Sequence, residues 1–165
     1  VDQGALVSAA QLEKVRSYVA LAREEGGEIL CGGDSPLSLG ERCMEGYFFE
    51  PTVIAGLASG SRVNQEEIFG PVVTVQPFST EEEVVAMANE TPYGLAAAIW
   101  TENITRAHRL ADRIESGTVW INCWMLRDLR VPFGGTKASG VGREGGLEAL
   151  RFFTEPKNVC LRIDR

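Results

Sequence analysis

Between Leu12 and Ala22, an apolar residue returns every three or four positions, which is the spacing of one helix face. Ser8 precedes this stretch and has Gln11 three positions after it. That spacing is a capping box, in which the serine side chain accepts a hydrogen bond from the first helical turn. The pattern predicts a helix that begins after Ser8 and ends before the glycine pair at 26–27.

The centre of the chain alternates strand-like and helical segments. Thr80 with Glu83, a second capping box, and Asn103 mark the starts of two helices, which end before Pro92 and Gly117. The strand-like segments around them are PVVTVQPF at 71–78, LAAAIWT at 95–101 and TVWI at 118–121. Strand, helix, strand, helix, strand is the order of βαβ units. The pattern therefore predicts an α/β fold with a parallel sheet and right-handed crossovers.

Outside this region the predicted elements are shorter. We expect extended segments at 28–31 and 47–55, a short helix at 147–153, and loops at 32–46, 56–66 and 122–146. The last segment, NVCLRI at 158–163, alternates apolar and polar residues as a half-covered strand does. Such a strand joins either an edge of its own sheet or the sheet edge of a partner.

Composition places the chain among ordinary globular domains. Its 165 residues fit one domain, and 44% hydrophobic and 24% charged residues disfavour disorder, coiled coil and collagen. The net charge of −7 argues against nucleic acid or an anionic membrane as a partner. The charge is uneven, however. Residues 1–90 carry 5 basic and 15 acidic groups, whereas residues 91–165 carry 11 and 8, so the second part can hold an anionic ligand.

The sequence shows no export or membrane segment. No apolar run reaches about 18 residues, and the start lacks a basic region followed by an apolar one. The four cysteines are scattered without a CxxC pair, so reduced thiols are a simpler interpretation than a disulfide framework. We expect a soluble, cytoplasmic protein. Because the chain begins at Val1 rather than methionine, we also expect it to be a piece of a longer protein.

A search for metal-binding and catalytic residues in the sequence identifies none. The single histidine, His108, lies among arginines on a predicted helix and is interpreted as a solvated surface residue. Without a second histidine or a cluster of carboxylates and thiols, neither a zinc site nor a hydrolytic triad can be assembled. Residues 140–145 match GxGxxG, but they follow a loop rather than a strand. A glycine turn leading into a helix is favoured over a dinucleotide fingerprint.

The segment QEEIFGP at 65–71 places adjacent carboxylates before an aromatic residue and a turn into a strand. A carboxylate at this position can accept hydrogen bonds from the two hydroxyls of a ribose, and the nearby aromatic Phe69 can flank a planar ring. The alternative is an acidic surface turn with Phe69 packed in the core. The residues alone favour that alternative.

A second candidate site follows the predicted strand at 118–121, at the end where open α/β sheets bind ligands. Arg127 and Arg130 lie in sequence beside Trp124 and Phe133, and a guanidinium grips a carboxylate with paired donors. The alternative is a surface salt bridge of either arginine with Asp128. The residues alone leave the two interpretations equal.

Seven ordered segments together resemble the C-terminal part of the NAD(P)-dependent aldehyde dehydrogenase superfamily. They are LEKVRSYVALAREEG, GYFFEPTVI, NQEEIFGPVV, NETPYGLAAAIWT, GTVWIN, PFGGTKASGVGREGG and FFTEPKNV. The variant NCWMLRDLRVPFGG looks most like the branch that acts on 2-hydroxymuconic and 2-aminomuconic semialdehydes. The resemblance implies a three-layer α/β fold, with a mostly parallel sheet and helices on both faces. Residues 1–157 would be part of the catalytic domain and residues 158–165 an oligomerisation strand.

The resemblance also implies roles for single residues. Glu67 matches the glutamate that holds the nicotinamide ribose hydroxyls and Phe69 the aromatic beside the nicotinamide, so NAD or NADP is the implied cofactor. This reverses the preference for a surface turn. Phe133 and the residues after position 122, including Trp124, match the wall of the substrate tunnel. An arginine there, Arg127 first and Arg130 second, would pair with a substrate carboxylate.

In this family a cysteine thiolate attacks the aldehyde, hydride passes to NAD, and a glutamate assists hydrolysis of the thioester. The resemblance places that cysteine, that glutamate and the glycine-rich cofactor domain upstream of the residues present here. None of the four cysteines has the sequence context of the nucleophile. We therefore expect the C-terminal portion of an enzyme that oxidises a muconic-type semialdehyde to its acid. By itself this portion should be inactive and should bind no cofactor.

Two other functions fit the same residues. The chain can be a stand-alone, non-catalytic module that oligomerises through 158–165, or a small-acid-binding domain that retains the arginine pocket. For a part of a large enzyme we expect a homo-oligomer, a dimer or larger, because such a part exposes sheet edges and apolar faces that another copy must cover.

Overall fold

The computed structural model describes residues 3–163, which form two compact units. The first ends at Glu83 and the second begins at Val84.

The first unit packs one long helix against a three-stranded sheet. Its helices are α1 (Ala9–Glu24) and the short α2 (Arg62–Gln65), with a 3₁₀ turn at Glu41–Cys43. Its strands are β1 (Glu28–Cys31), β2 (Thr52–Ala55) and β3 (Val72–Val75), which lie side by side in that order. β1 runs antiparallel to β2, and β3 runs parallel to it.

The core of the first unit is formed by the face of α1 that the sequence predicts. Val15 and Ala22 are fully buried and Val19 is 1% exposed, and they pack with Phe49 and Ile54 from the sheet side. The predicted cap of this helix is confirmed, since the backbone N–H of Gln11 donates to the Ser8 Oγ over 3.2 Å. The helix ends at Glu24, just before the glycine pair.

The second unit contains most of α3 (Glu81–Glu90), α4 (Ile104–Arg113) and α5 (Gly146–Phe152). Strands β5 (Ala96–Ile99) and β6 (Thr118–Ile121) are joined through α4 and pair in parallel. The two-residue strands β4 (Tyr93–Gly94) and β7 (Thr136–Lys137) pair antiparallel. A small core forms where α3 and α4 contribute one buried residue each beside β5.

One close contact in the second unit allows only glycine. A Cβ built on Gly117, just before β6, would lie 1.7 Å from the carbonyl oxygen of Gly134. Gly117, which lies between α4 and β6, thus allows the glycine pair of the PFGG segment to approach the start of β6.

The α/β class is confirmed. The strands do not form the single parallel sheet that we predicted for residues 71–121. β3 pairs with β2 in the first unit, while β5 and β6 pair with each other in the second. The β1–β2 and β4–β7 pairs are antiparallel, so the sheets are mixed. The predicted loop at 56–66 contains α2, which is capped by the Ser61 side chain. A four-residue helix is too short for its periodicity to be read from the sequence.

The segment at 158–163 lies in no helix or strand, although we predicted a strand there. Val159, Leu161 and Ile163 are 77–79% exposed. An alternating segment forms a strand only when a sheet edge accepts its backbone hydrogen bonds. No helix within residues 3–163 is long and apolar enough to cross a bilayer.

Candidate functional site

The first candidate site is the segment 66–70 between α2 and β3. Ile68, in its middle, is only 9% exposed and belongs to the core of the first unit. Glu67 before it and Phe69 after it are exposed, and the Phe69 side chain is 73% exposed. The alternative in which Phe69 packs in the core is therefore wrong, because Ile68 takes the core position and turns its neighbours outward.

Phe69 adopts a backbone conformation that is unusual for a large residue. Its φ of +56° lies in the left-handed region, which costs a non-glycine residue about 1–2 kcal/mol. Gly70 follows, and a Cβ on it would lie 2.4 Å from the Val15 Cγ2 on α1. The segment thus turns tightly against the helix before it enters β3.

The two adjacent carboxylates have different surroundings. Glu66 accepts two hydrogen bonds from the Arg62 guanidinium, at 2.7 and 3.0 Å, and one from the Tyr18 hydroxyl at 2.5 Å. These donors, Arg62 first, lower the pKa of Glu66 to about 2. The same contact raises the pKa of the Tyr18 hydroxyl, because its proton is held by Glu66.

Glu67 has no hydrogen bond or ion pair to its carboxylate from any residue within 3–163; only its backbone carbonyl is bound, by Lys14. Of the two neighbouring acids, Glu66 anchors the segment and Glu67 keeps its acceptor oxygens open. This is the arrangement that a carboxylate needs to receive two hydroxyl donors from a sugar.

Two residues of α1 that the sequence analysis did not assign to this site hold its backbone. Gln11 Nε2 donates to the carbonyls of Ile68 and Phe69, at 2.8 and 2.7 Å, and Lys14 Nζ donates to the carbonyl of Glu67 at 2.6 Å. The capping-box pattern had given Gln11 a different role, at the start of its own helix. In the sequence, the only sign of this role is that two polar residues, at positions 11 and 14, lie three apart at the edge of the buried helix face.

The second candidate site is the loop after β6, which starts with a strongly held asparagine. Asn122 has a φ of +53°, and its side chain both donates to the Thr101 carbonyl and accepts from the Thr101 N–H, each at 2.8 Å. Beyond it, Trp124 meets Trp120 edge to face with the ring centres 5.2 Å apart. The Trp120 Nε1 donates to the carbonyl of Leu126 at 2.8 Å, which ties the loop to the strand.

Arg127 and Phe133 lie together in this loop. The Arg127 guanidinium lies over the Phe133 ring, 4.1 Å from its centre, and forms a salt bridge with Glu144. The backbones of Phe133 and Glu144 exchange two hydrogen bonds of 2.8 Å. The structure thus joins three residues that span 17 positions of the sequence. Arg127 pairs with Glu144 rather than with Asp128.

Arg130 follows the surface salt-bridge interpretation. It is 89% exposed, and its guanidinium donates to both Asp128 oxygens, at 2.5 to 3.1 Å. The contact lowers the pKa of Asp128 and raises that of Arg130. Arg127 and Phe133 are brought together with Glu144, and Trp124 packs against Trp120 in the same loop, whereas Arg130 points to solvent with its own partner.

The GxGxxG segment forms glycine turns, as the sequence analysis favoured. Gly140, Gly142 and Gly145 all have positive φ, and the segment leads into α5. A groove of about 250 Å³ runs beside it in the second unit. Its lining includes Leu95, Phe133 and Phe152.

Of the remaining sequence candidates, only Cys123 lies in the loop after β6. His108 is exposed on α4, as expected. The four cysteines are free thiols, and no group of three or more His, Cys, Asp or Glu within residues 3–163 could hold a metal ion.

Comparison with known proteins identifies the family. The model of the aldehyde dehydrogenase family matches residues 1–159. The chain belongs to this family. The aldehyde dehydrogenase chain is similar to the 2-aminomuconic semialdehyde dehydrogenase of Bos taurus, with 53% identity over 98% of this chain. It is also similar to the 2-hydroxymuconic semialdehyde dehydrogenase of Pseudomonas sp. (strain CF600), with 51% identity over 97%.

Among solved structures, the NAD⁺ complex of an aldehyde dehydrogenase from Bacillus cereus matches 99% of this chain, with 43% identity and a TM-score of 0.91. These matches cover 33% of each of the two curated relatives and 32% of the solved chain. The aldehyde dehydrogenase chain described here therefore spans about a third of the length of the proteins it resembles.

Replacing Arg62 by alanine tests the anchoring of the first site. The pKa of Glu66 should rise from about 2 towards 4.5, because its strongest donor is lost. A carboxyl group with a lowered pKa stabilises the fold above pH 4.5, and that stability disappears as the pH falls through about 2. The wild type should therefore lose more stability than Arg62→Ala between these pH values. An NMR titration of the Glu66 carboxyl carbon and acid unfolding measure the two effects.

Arg16→Ala is the matched control, since Arg16 contacts Glu13 on the exposed side of α1 at 3.9 Å. It should leave the Glu66 titration unchanged. A Glu66 midpoint near 4.5 in the wild type would contradict the anchoring contact.

Proposed function

We propose that these residues form the C-terminal part of an NAD(P)-dependent aldehyde dehydrogenase that oxidises a muconic-type semialdehyde to its carboxylic acid. The full-length enzyme is the longer polypeptide to which this part belongs. The observation that carries the proposal is the 51–53% identity, over nearly the whole chain, to relatives named as muconic semialdehyde dehydrogenases. A likeness spread over both units supports a shared reaction better than any single motif does.

Glu67 and Phe69 hold the nicotinamide end of the cofactor in this proposal. The fit rests on the open Glu67 carboxylate, which offers acceptor oxygens for ribose hydroxyls, and on the exposed Phe69 ring, which offers an apolar face to a planar ring. The cofactor would supply the hydride acceptor. These residues fix its orientation and take no part in proton transfer. The solved relative from Bacillus cereus is an NAD⁺ complex, which agrees with this class of cofactor.

Arg127, with Trp124 and Phe133, forms the wall that receives the substrate carboxylate. Stacking on Phe133 fixes the plane of the Arg127 guanidinium, and the salt bridge with Glu144 uses only part of its donor set. Arg130 is the second candidate, because its donors already face Asp128. An aldehyde with a carboxylate at its far end would be gripped by Arg127 and oriented by the aromatic side chains.

The 165-residue chain alone should not oxidise aldehydes. The family resemblance assigns the cysteine nucleophile and the base glutamate to other parts of the polypeptide, and without a nucleophile no thioester forms. Purified chain is incubated with NAD⁺ and 2-hydroxymuconic semialdehyde, and NADH is followed by absorbance. The full-length enzyme under the same conditions is the control. Turnover by the chain alone would show that it carries its own nucleophile.

Arg127→Ala in the full-length enzyme should raise the KM for a muconic semialdehyde by about ten- to a hundredfold, the cost of a lost charged hydrogen bond. The KM for an uncharged aldehyde should change little. Steady-state kinetics with both substrates measure the difference. Arg151→Ala is the matched control, because Arg151 forms a comparable exposed salt bridge, with Glu148 on α5. An equal loss for both aldehydes would assign Arg127 a structural role.

A homo-oligomer, a dimer or larger, is also proposed, because the apolar residues of 158–163 are exposed in the single chain. As a strand on another copy, this segment would bury Val159, Leu161 and Ile163 and satisfy its backbone. The same observation favours the second candidate function, a non-catalytic oligomerising module.

Light scattering should give a mass of at least two chains of 18.0 kDa for the wild type and a smaller assembly for Leu161→Asp. Burying an aspartate on an apolar face without a partner disfavours association. Leu37→Asp changes another exposed leucine and should leave the mass unchanged. A wild-type mass of 18.0 kDa over the micromolar range would end the proposal.

A further inference from the structure

The turn at residues 124–126, in the loop after β6, is not held by burial of its own side chains. Trp124, Met125 and Leu126 are 64–75% exposed, although all three are apolar. Met125, in the middle, has a φ of +58°, in the left-handed region that a residue with a Cβ rarely adopts. A strained turn of exposed residues keeps one conformation only when contacts from elsewhere hold it.

The indole of Trp120 supplies contacts on both sides of Met125. Its ring meets the Trp124 ring edge to face, with the centres 5.2 Å apart, and its Nε1 donates to the Leu126 carbonyl at 2.8 Å. Because an indole is one rigid plane, the two contacts together fix the placement of Trp124 relative to Leu126. That placement depends on the backbone angles of Met125, which lies between them.

Trp120 is itself well anchored. It lies in β6, where it is the register partner of Ala98 in β5, and it is only 9% exposed. A buried indole N–H has no access to bulk water and needs an acceptor in the protein. The Leu126 carbonyl is the acceptor that the structure gives it. The strand and the turn are thus joined at a buried donor that is costly to leave unpaired.

The carbonyl that Trp120 binds lies directly before Arg127. It belongs to the peptide group that joins Leu126 to Arg127, so its orientation sets the direction in which the backbone enters Arg127. From there the guanidinium lies over the Phe133 ring, 4.1 Å from its centre, and pairs with Glu144. An arginine side chain has many rotamers, so it keeps such a position only when its own backbone is fixed.

We propose that Trp120 is a positioning residue for the substrate site, and that its indole holds the turn 124–126 so that Arg127 starts from one fixed backbone orientation. This inference rests on the proposed function for its link to a substrate carboxylate. Trp120 touches no reacting atom in this role; it acts through the backbone of Leu126. Its loss should therefore affect aldehydes that carry a carboxylate and spare those that do not.

The first test needs no substrate and uses the 165-residue chain. Trp120→Phe keeps an aromatic ring beside Trp124 but removes the N–H donor. In chain labelled with ¹³C-methionine, the ¹³Cα and ¹³Cβ chemical shifts of Met125 should leave their left-handed values, whereas those of Met87 on α3 should stay in place. Unchanged Met125 shifts in the folded variant overturn the inference.

A measurement on the wild-type chain keeps the inference testable if this variant does not fold. The indole N–H of Trp120 should exchange with deuterium roughly tenfold more slowly than that of Trp100, which is 69% exposed. Equal exchange rates would overturn the inference, because they would show that the hydrogen bond to Leu126 is absent.

Trp100→Phe is the matched control. It makes the same change of indole to phenyl at an exposed position of the same unit, just after β5. The Met125 shifts should stay in place in this variant. A displacement of Met125 by the control as large as that by Trp120→Phe would also overturn the inference, since it would show a general response of the unit.

The second test uses the full-length enzyme and separates the inference from the function on which it rests. Trp120→Phe should raise the KM for a muconic semialdehyde about fivefold, the effect of one lost hydrogen bond, while the KM values for an uncharged aldehyde and for NAD⁺ stay within experimental error. In an Arg127→Ala background the same substitution should cause no further rise, because the two residues act through one contact with the substrate.

The other outcomes of this test have distinct meanings. If the Met125 shifts move in Trp120→Phe but neither this variant nor Arg127→Ala changes the KM for the semialdehyde, Trp120 holds the turn and the proposed substrate role of Arg127 fails. If Arg127→Ala raises this KM and Trp120→Phe does not, the positioning role is overturned and the proposed function stands. An equal rise for charged and uncharged aldehydes, or a further rise in the Arg127→Ala background, also overturns the positioning role.

Discussion

The contact between one face of α1 and the segment 66–70 is the constraint on which the first unit depends. The apolar part of this face, Val15 with Val19 and Ala22, forms the core, and its polar edge binds the backbone of the candidate site. A helix is stiff and well anchored, so donors on it can hold a strained segment in one conformation. Burial in the core and precision at the site therefore have the same structural origin.

In the second unit, side-chain contacts within loops, rather than a long helix, hold the candidate site in place. Asn122 binds the backbone N–H and the backbone carbonyl of Thr101, and Arg127, Phe133 and Glu144 form a network across the loop after β6. Irregular loops must satisfy their backbone groups by such side-chain contacts, because no regular hydrogen-bond ladder is available. The basic character of residues 91–165 is thus partly used inside the unit, and it does not by itself mark an anion site.

Family membership and local geometry contribute different information. The family match covers residues 1–159 and identifies the family, while the matched proteins are about three times as long. The local geometry distinguishes residues that are adjacent or close in the sequence and chemically alike. Glu66 is bound by Arg62 and Tyr18 whereas Glu67 is open, and Arg127 lies in a network whereas Arg130 faces solvent. These distinctions make the experiments specific to single residues.

The sequence by itself determined the features that depend on local contacts: α1 with its Ser8 cap, α4 with its Asn103 cap, and the short strands between them. Capping and helical spacing act over a few residues, so they can be read without the fold. Only the tertiary structure decided that Ile68 and not Phe69 is buried, that Gln11 binds a segment 57 residues away, and that Arg127 pairs with Glu144. It also left 158–163 without strand structure. These outcomes depend on which distant residues meet, and the energy of such a contact is not contained in either segment alone.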